Sequence, residues 1–448
     1  MRISGFFCLG LIAVAVASCG VSKKTGQTGR TFNEDIKQIK HIVVVYMENH
    51  SFDNLFGEFK GANGIQNAMK EGFVQVDEYG KPYTYLPEIP RNSSFPTNLP
   101  NQLFNIDQYV PNDKATPDVT HRFYHNQLQI NNGKMDKFAL YNDTKGLAMG
   151  YYNTQKLPFY PFARDYTLCD NFFQSVYGGS YINHIFMISA AIPRWPNAPK
   201  SMVAKIGPNG ELIKDGEVTP DGYVINQINS RNQPYPANSD TTKLLPSIDM
   251  PTIGDKLSEK NVSWAWYSEG WDDAVAGRKN NFAYNHEPFL YFKNYEPGTE
   301  GRKHLKDWKD FIKDAKSGTL PSVSFVKPGT GNDEHPGGSA VYSSEQSAVN
   351  LINEVLNGPN GKDALVILTY DEFGGFFDHV NPPKFDRWGA GTRIPAILIG
   401  PFAKKNHVDH TQYETVSILS LIEKRWGIAP LGERDKNANP LTGALNFN

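Results

Sequence analysis

The chain has 448 residues, enough for one large α/β body or two smaller ones. Its 45 Lys and Arg against 47 Asp and Glu leave a formal net charge of −2 with no basic stripe, which excludes nucleic acid as a main partner. High Tyr and Phe content fits a large packed core with loop-rich walls, and no internal repeat or low-complexity tract is present.

The N-terminus reads as a targeting segment. Arg2 supplies the positive end, and Phe6 to Ala17 forms an apolar stretch too short to span a bilayer. Val16-Ala17-Ser18-Cys19-Gly20 has the form of a bacterial lipobox with Cys19 as the lipidated residue; simple cleavage after Ala15-Val16-Ala17 is the alternative. The expected organisation is a lipoprotein signal peptide over 1–18, a polar tether over 19–38 and one catalytic body over 39–448. The protein is then exported and held to a membrane in the periplasm or at the outer membrane by its lipid, or secreted if the leader is simply removed. With Cys8 gone and Cys19 acylated, Cys169 has no disulfide partner, and its apolar surroundings, Tyr166 to Phe173, predict a buried, inert thiol.

Ile42 to Tyr46 is a continuous run of apolar or β-branched residues and reads as a buried strand. It leads directly into Glu48, Asn49 and Asp53. Ligands of open α/β sheets bind just past the carboxyl ends of such strands, and a carboxylate beside an amide is a hard oxygen donor set for a divalent metal. A Pro- and Asn-rich insertion follows near 58–117, long enough to be functional. Asp118 to Asp136 looks helical, with Gly133 as its stop, and carries His121.

Next, Gly178-Gly179-Ser180 precedes an apolar helical pattern that includes Asn183 and His184. This places Ser180 at a helix N-terminus, where free N–H groups attract an anion such as phosphate, although a plain N-cap is the simpler role. A second insertion near 195–246 is expected to wall or cap the site. His286, preceded by Asn285, and His335 follow. Asn350 to Asn357 reads as a helix feeding a second apolar run, Asp363 to Tyr370, which ends in Asp371-Glu372-Phe-Gly-Gly-Phe-Phe-Asp378-His379. Two such strands would bring their acidic tips together if they were neighbours in one sheet. Arg393 to Pro401 reads as another buried strand and Thr415 to Trp426 as a packing helix. Strands alternating with helices predict a mainly parallel sheet covered on both faces.

Glu48-Asn-His-Ser-Phe-Asp53 and Tyr370-Asp-Glu-Phe-Gly-Gly-Phe-Phe-Asp-His-Val380, with the segments between, resemble the phosphoesterase family that holds bacterial phosphate-releasing phospholipases C and acid phosphatases. The resemblance runs from about Ile39 to about Leu441. It implies an alkaline-phosphatase-like three-layer α/β/α fold with a mainly parallel central sheet and loop-rich cap insertions. It also implies a nucleophile at Ser180, a metal held by Glu48, Asn49, Ser180, Asp371 and Glu372, and a phosphate pocket with His121, His286 and His335. Asn285 stands where the family commonly has the first of a His-His pair. Gly178-Gly179-Ser180 with Asn183-His184 departs from the Gly-Pro-Thr and Asn-Arg pattern of the phospholipases, which favours the acid phosphatase branch.

The expected function is therefore an exported, metal-dependent acid phosphatase that cleaves phosphate monoesters through a phosphoserine at Ser180. The ligand set does not select among divalent ions, and no organic cofactor is implied. Any role for imidazolium at His121, His286 or His335 would favour mildly acidic pH. A phospholipase C acting on phosphatidylcholine-type diesters is the alternative, and it would need an apolar groove for acyl chains. A non-catalytic surface binding protein is a second alternative, expected to have lost the ligands. A Ser-His-Asp hydrolase is set aside because Ser180 lacks a Gly-x-Ser-x-Gly elbow. Asp53 is expected to orient Asn49 or its turn, and His379 to order its loop with Asp378. His50 and His184 fall near the pocket without an assigned role, and His407 and His410 belong to a late loop.

Overall fold

Two seven-residue runs of aliphatic and β-branched side chains, β1 (His41–Met47) and β6 (Ala364–Tyr370), pair in parallel at the centre of an eight-stranded sheet. The remaining strands are β2 (Thr167–Cys169), β3 (Trp264–Ser268), β4 (Leu305–Asp307), β5 (Val323–Lys327), β7 (Ala396–Ile399) and β8 (His407–Asp409). Their order across the sheet is β8-β2-β7-β6-β1-β5-β3-β4, as seen in a computed structural model that describes residues 31–448. The expected leader, the Cys19 lipidation and the tether as far as residue 30 lie outside the described residues. From Phe32 the chain is already helical and Ile36 is fully buried, so the packed body starts before the expected boundary at residue 39.

All pairings are parallel except those of β7, which runs against both β6 and β2. Every residue of β3, β5, β6 and β7 is buried, which requires cover on both faces of the sheet. Two groups of helices supply it. One contains α4 (Trp308–Ser317) and α5 (Val341–Asn357); the other contains α2 (Ser180–Ser189), α3 (Ile253–Glu259) and α6 (Ser417–Trp426). Among the described residues no helix is long and apolar enough to cross a membrane.

Three expected elements differ. The helix expected over 118–136 is confined to α1 (Phe123–Ile130): Asp118 to Arg122 runs without helix, and Asn131 ends the helix in the left-handed conformation. The Gln129 side chain donates to the carbonyls of Thr120 and Tyr141, folding the flanking segments back onto the helix instead of extending it. Helix α5 begins at Val341, well before Asn350. The strand expected over 393–401 narrows to Ala396–Ile399, because Arg393 turns into a buried ion-pair network.

Candidate active site

The register His41↔Ala364 through Met47↔Tyr370 ends both central strands at the same level. Glu48 and Asp371 therefore emerge side by side, with the Asp371 N–H donating to the Met47 carbonyl at 3.1 Å. One residue further on, Asn49 Nδ2 donates to Glu372 Oε1 at 2.5 Å. Gly374, at φ +63°, lets the loop close over Asn49: a Cβ there would lie 1.9 Å from the Asn49 carbonyl oxygen.

Ser180 arrives from the opposite side as the first residue of α2. Gly178, at φ +90°, packs where a Cβ would come within 2.4 Å of the Phe123 backbone. Asn183 holds this turn from inside the helix by donating to the carbonyls of Val176, Gly178 and Gly179. Ser180 is not an N-cap. Its Oγ donates to Glu48 Oε2 at 2.9 Å, on the floor of a cavity of about 320 Å³ lined by Asp118, His121, Arg122, Asp143, Asn226 and Gln227 among others. Asn226 and Gln227 come from the expected second insertion, which walls the site; the insertion near 58–117 contributes no lining residue. Val119 is the only residue of that lining with an apolar side chain.

Glu48, Asn49, Asp371 and Glu372 are all fully buried. Burial, then repulsion from Glu48 and Glu372, pushes the Asp371 carboxyl far above the ordinary range, and burial does the same to Glu372. Glu48 is also pushed up by burial, but Lys327 and His184 pull it to a net position below its ordinary value. Asn49 Oδ1 and Asp371 Oδ2 are buried acceptors with no hydrogen-bond partner, and Glu48 Oε1 meets only the ion-pair contacts of Lys327 and His286. Unpaired oxygens among crowded carboxylates are the donors a hard divalent cation satisfies. Glu372 differs, because Asn49 Nδ2 and the Gly374 N–H already occupy its two oxygens. Nitrogen donors are also at hand: ligand atoms of Glu48, His184 and His286 lie within 4.8 Å of one another.

The histidines fall into two pairs. His121 and His335 stand edge to face at 5.4 Å, and each donates from Nδ1 to a backbone carbonyl, of Val119 and Pro336 respectively. This fixes both rings with Nε2 free, that of His121 lying 3.7 Å from Glu372 Oε1. His184 and His286 stack at 5.0 Å deeper in the site. Burial, followed by Lys327, His335 and His121, drives His286 well below its ordinary value. Asn285 lies beside it in a short 3₁₀ turn, its Nδ2 buried and unpartnered.

Two residues of this cluster had no assigned role in the sequence reading, which placed His184 near the pocket and passed over Lys327. His184, one turn along α2 from Ser180, donates to the Ser180 carbonyl and faces Asp371 at 3.6 Å and Glu48 at 3.7 Å. Lys327, the last residue of β5, brings its ammonium to 3.1 Å from Glu48 Oε1. The signal for Lys327 is a charged residue closing a third apolar run, Val323-Ser-Phe-Val.

Asp53 does not orient Asn49. Its carboxylate accepts from the backbone and ring of His379 and from Arg393, which also bonds Asp378. This buried network ties the loop after β6 to the helix after β1. Cys169 is buried on β2, and burial, with Asp409 and Asp170 nearby, pushes its thiol far up, as an inert residue requires.

The family signature described as Phosphoesterase family matches residues 39–429. The chain belongs to that family, the phosphoric ester hydrolases called phosphoesterases. This phosphoesterase is similar to the non-hemolytic phospholipase C of Pseudomonas aeruginosa, 24% identical over 92% of this chain and 58% of that protein. It is also similar to phospholipase C A of Mycobacterium tuberculosis, 25% identical over 92% of this chain and 78% of that one. Non-specific phospholipase C3 of Arabidopsis thaliana is 24% identical over 91% of the chain and 73% of its own length. The chain thus spans little more than half of the Pseudomonas protein. Among solved structures, an alkaline phosphatase superfamily protein from Vibrio parahaemolyticus aligns at TM-score 0.36 and 10% identity, over 73% of each chain.

Proposed function

We propose that this phosphoesterase is a phospholipase C-type phosphodiesterase that uses Ser180 as its nucleophile. The observation that carries the site is the Ser180 hydroxyl, directed at an ionised Glu48 on the floor of the cavity. The lipid diester, rather than the monoester expected from sequence, is supported by the relatives, which are named phospholipases C across nearly the whole chain. The cavity has room for a phosphorylated headgroup but is polar, so the acyl chains would remain in the lipid layer. Asp118 and Asp143 at the lining suit a cationic headgroup.

In this reading Glu48, Asn49 and Asp371, with Glu372 and Ser180 completing the set, would hold a divalent cation. When bound, it withdraws charge from a phosphoryl oxygen and lowers the pKa of the hydroxyl beside it. Ser180 Oγ attacks phosphorus as Glu48 Oε2 takes its proton. A serine–phosphoryl bond forms and the bond to the lipid alcohol breaks. Nε2 of His121 or His335, when protonated, gives the departing oxygen its proton. Water then cleaves the serine ester and restores Ser180.

The monoesterase reading keeps one support: Gly178-Gly179-Ser180 with Asn183-His184 departs from the phospholipase pattern. The test compares phosphocholine release from phosphatidylcholine vesicles with p-nitrophenol release from its monoester, with added divalent cation and with chelator. Chelator-sensitive release from the vesicles is expected. Turnover of the monoester alone would return the assignment to an acid phosphatase.

A further inference from the structure

Lys327 is the one lysine or arginine, among the described residues, that pairs with any of Glu48, Asp371 and Glu372. It is 1% exposed, at the carboxyl end of β5 beside β1, and its other contact is a 3.4 Å bond to the Pro328 carbonyl. A buried ammonium in a site shaped for a cation is expensive unless its charge is used there. Glu48 divides its oxygens. Oε1 faces Lys327 and His286, each at 3.1 Å, whereas Oε2 takes the Ser180 hydroxyl.

We propose that Lys327 is a positioning residue of this site: its ammonium draws Glu48 Oε1 to itself and so presents Oε2 to Ser180. This rests on the reading of Ser180 as nucleophile and adds to it the group that aims its proton acceptor. Glu48 Oε1 also meets the ring of His286 at 3.1 Å and that of His184 at 3.7 Å.

The test uses Lys327→Met and Lys327→Arg in the full chain, reading cation affinity and stoichiometry by calorimetry with Mn²⁺ alone, and kcat and KM separately. Lys327→Met is expected to bind Mn²⁺ at least as tightly as the wild type, because a repelling charge is gone. Its kcat should fall by about 100-fold with little change in KM, the scale of losing one fixed electrostatic contact in an active site. Lys327→Arg should recover about a tenth of the wild-type rate or more, since it restores the charge. A kcat within about threefold of wild type, or Mn²⁺ binding weakened in parallel with rate and not rescued by Arg, would overturn the proposal. If Lys327→Met does not fold, Lys327→Gln, which keeps a donor without charge, reads the same split. A wild-type chain that binds Mn²⁺ but turns over neither ester would fail the nucleophile reading instead. Looser Mn²⁺ binding in Lys327→Met would then still contradict the charge argument.

Discussion

Glu287 shows how strongly single residues around this site depend on their surroundings. It follows His286 in the chain, is fully buried, and bonds only Ser268 Oγ, leaving Oε1 without a partner. Burial pushes its carboxyl up to about 8 from an ordinary value of 4.5. The folded protein therefore holds a proton that the unfolded chain gives up. The stabilising effect is complete below the unfolded value and is lost progressively as pH rises from about 4.5 to about 8. Melting temperature is expected to decline across that interval, and Glu287→Gln to flatten the decline; an unchanged slope would show that Glu287 is solvated. The residues legible in the sequence, Glu48, Asn49, Asp371 and Glu372, are those that leave strands with no intervening loop, so chain position alone locates them. The roles of His184 and Lys327 were not legible, because a lone His on an apolar helix and a Lys closing a strand look alike whether they face solvent or the core.

At the scale of elements, the turn before α2 is the part on which the site depends most. Gly178 has left-handed φ and no room for a side chain against Phe123. Gly178→Ala should cost about 1–3 kcal/mol of stability through backbone strain. It should also displace Ser180 and lower kcat more than melting alone explains, a split read by thermal melts alongside kinetics. The sequence marked this turn by its paired glycines and the apolar pattern after it. It did not mark the end of α1 correctly, because Gln129 ties that helix to Thr120 and Tyr141 and Asn131 ends it in the left-handed conformation, neither of which the local apolar pattern carries.

For the molecule as a whole, the parallel α/β architecture was readable because β1 and β6 are apolar on every inward position of a sheet covered on both faces. Their adjacency was readable only from the matching acidic tips. Strand order was not, nor was the reversal of β7, since a four-residue apolar run has no direction written into it. The sheet's role is to hold the tips of β1, β6 and β5 at one level, while α2 delivers a hydroxyl to the same point. The most direct measurement of that account is an acid quench during turnover of phosphatidylcholine with divalent cation, followed by mass analysis of the peptide containing Ser180. The account predicts a phosphocholine adduct on Ser180, absent in Ser180→Ala, which should also lose turnover while melting normally. Turnover that persists in Ser180→Ala, or an adduct on any other residue, would contradict it.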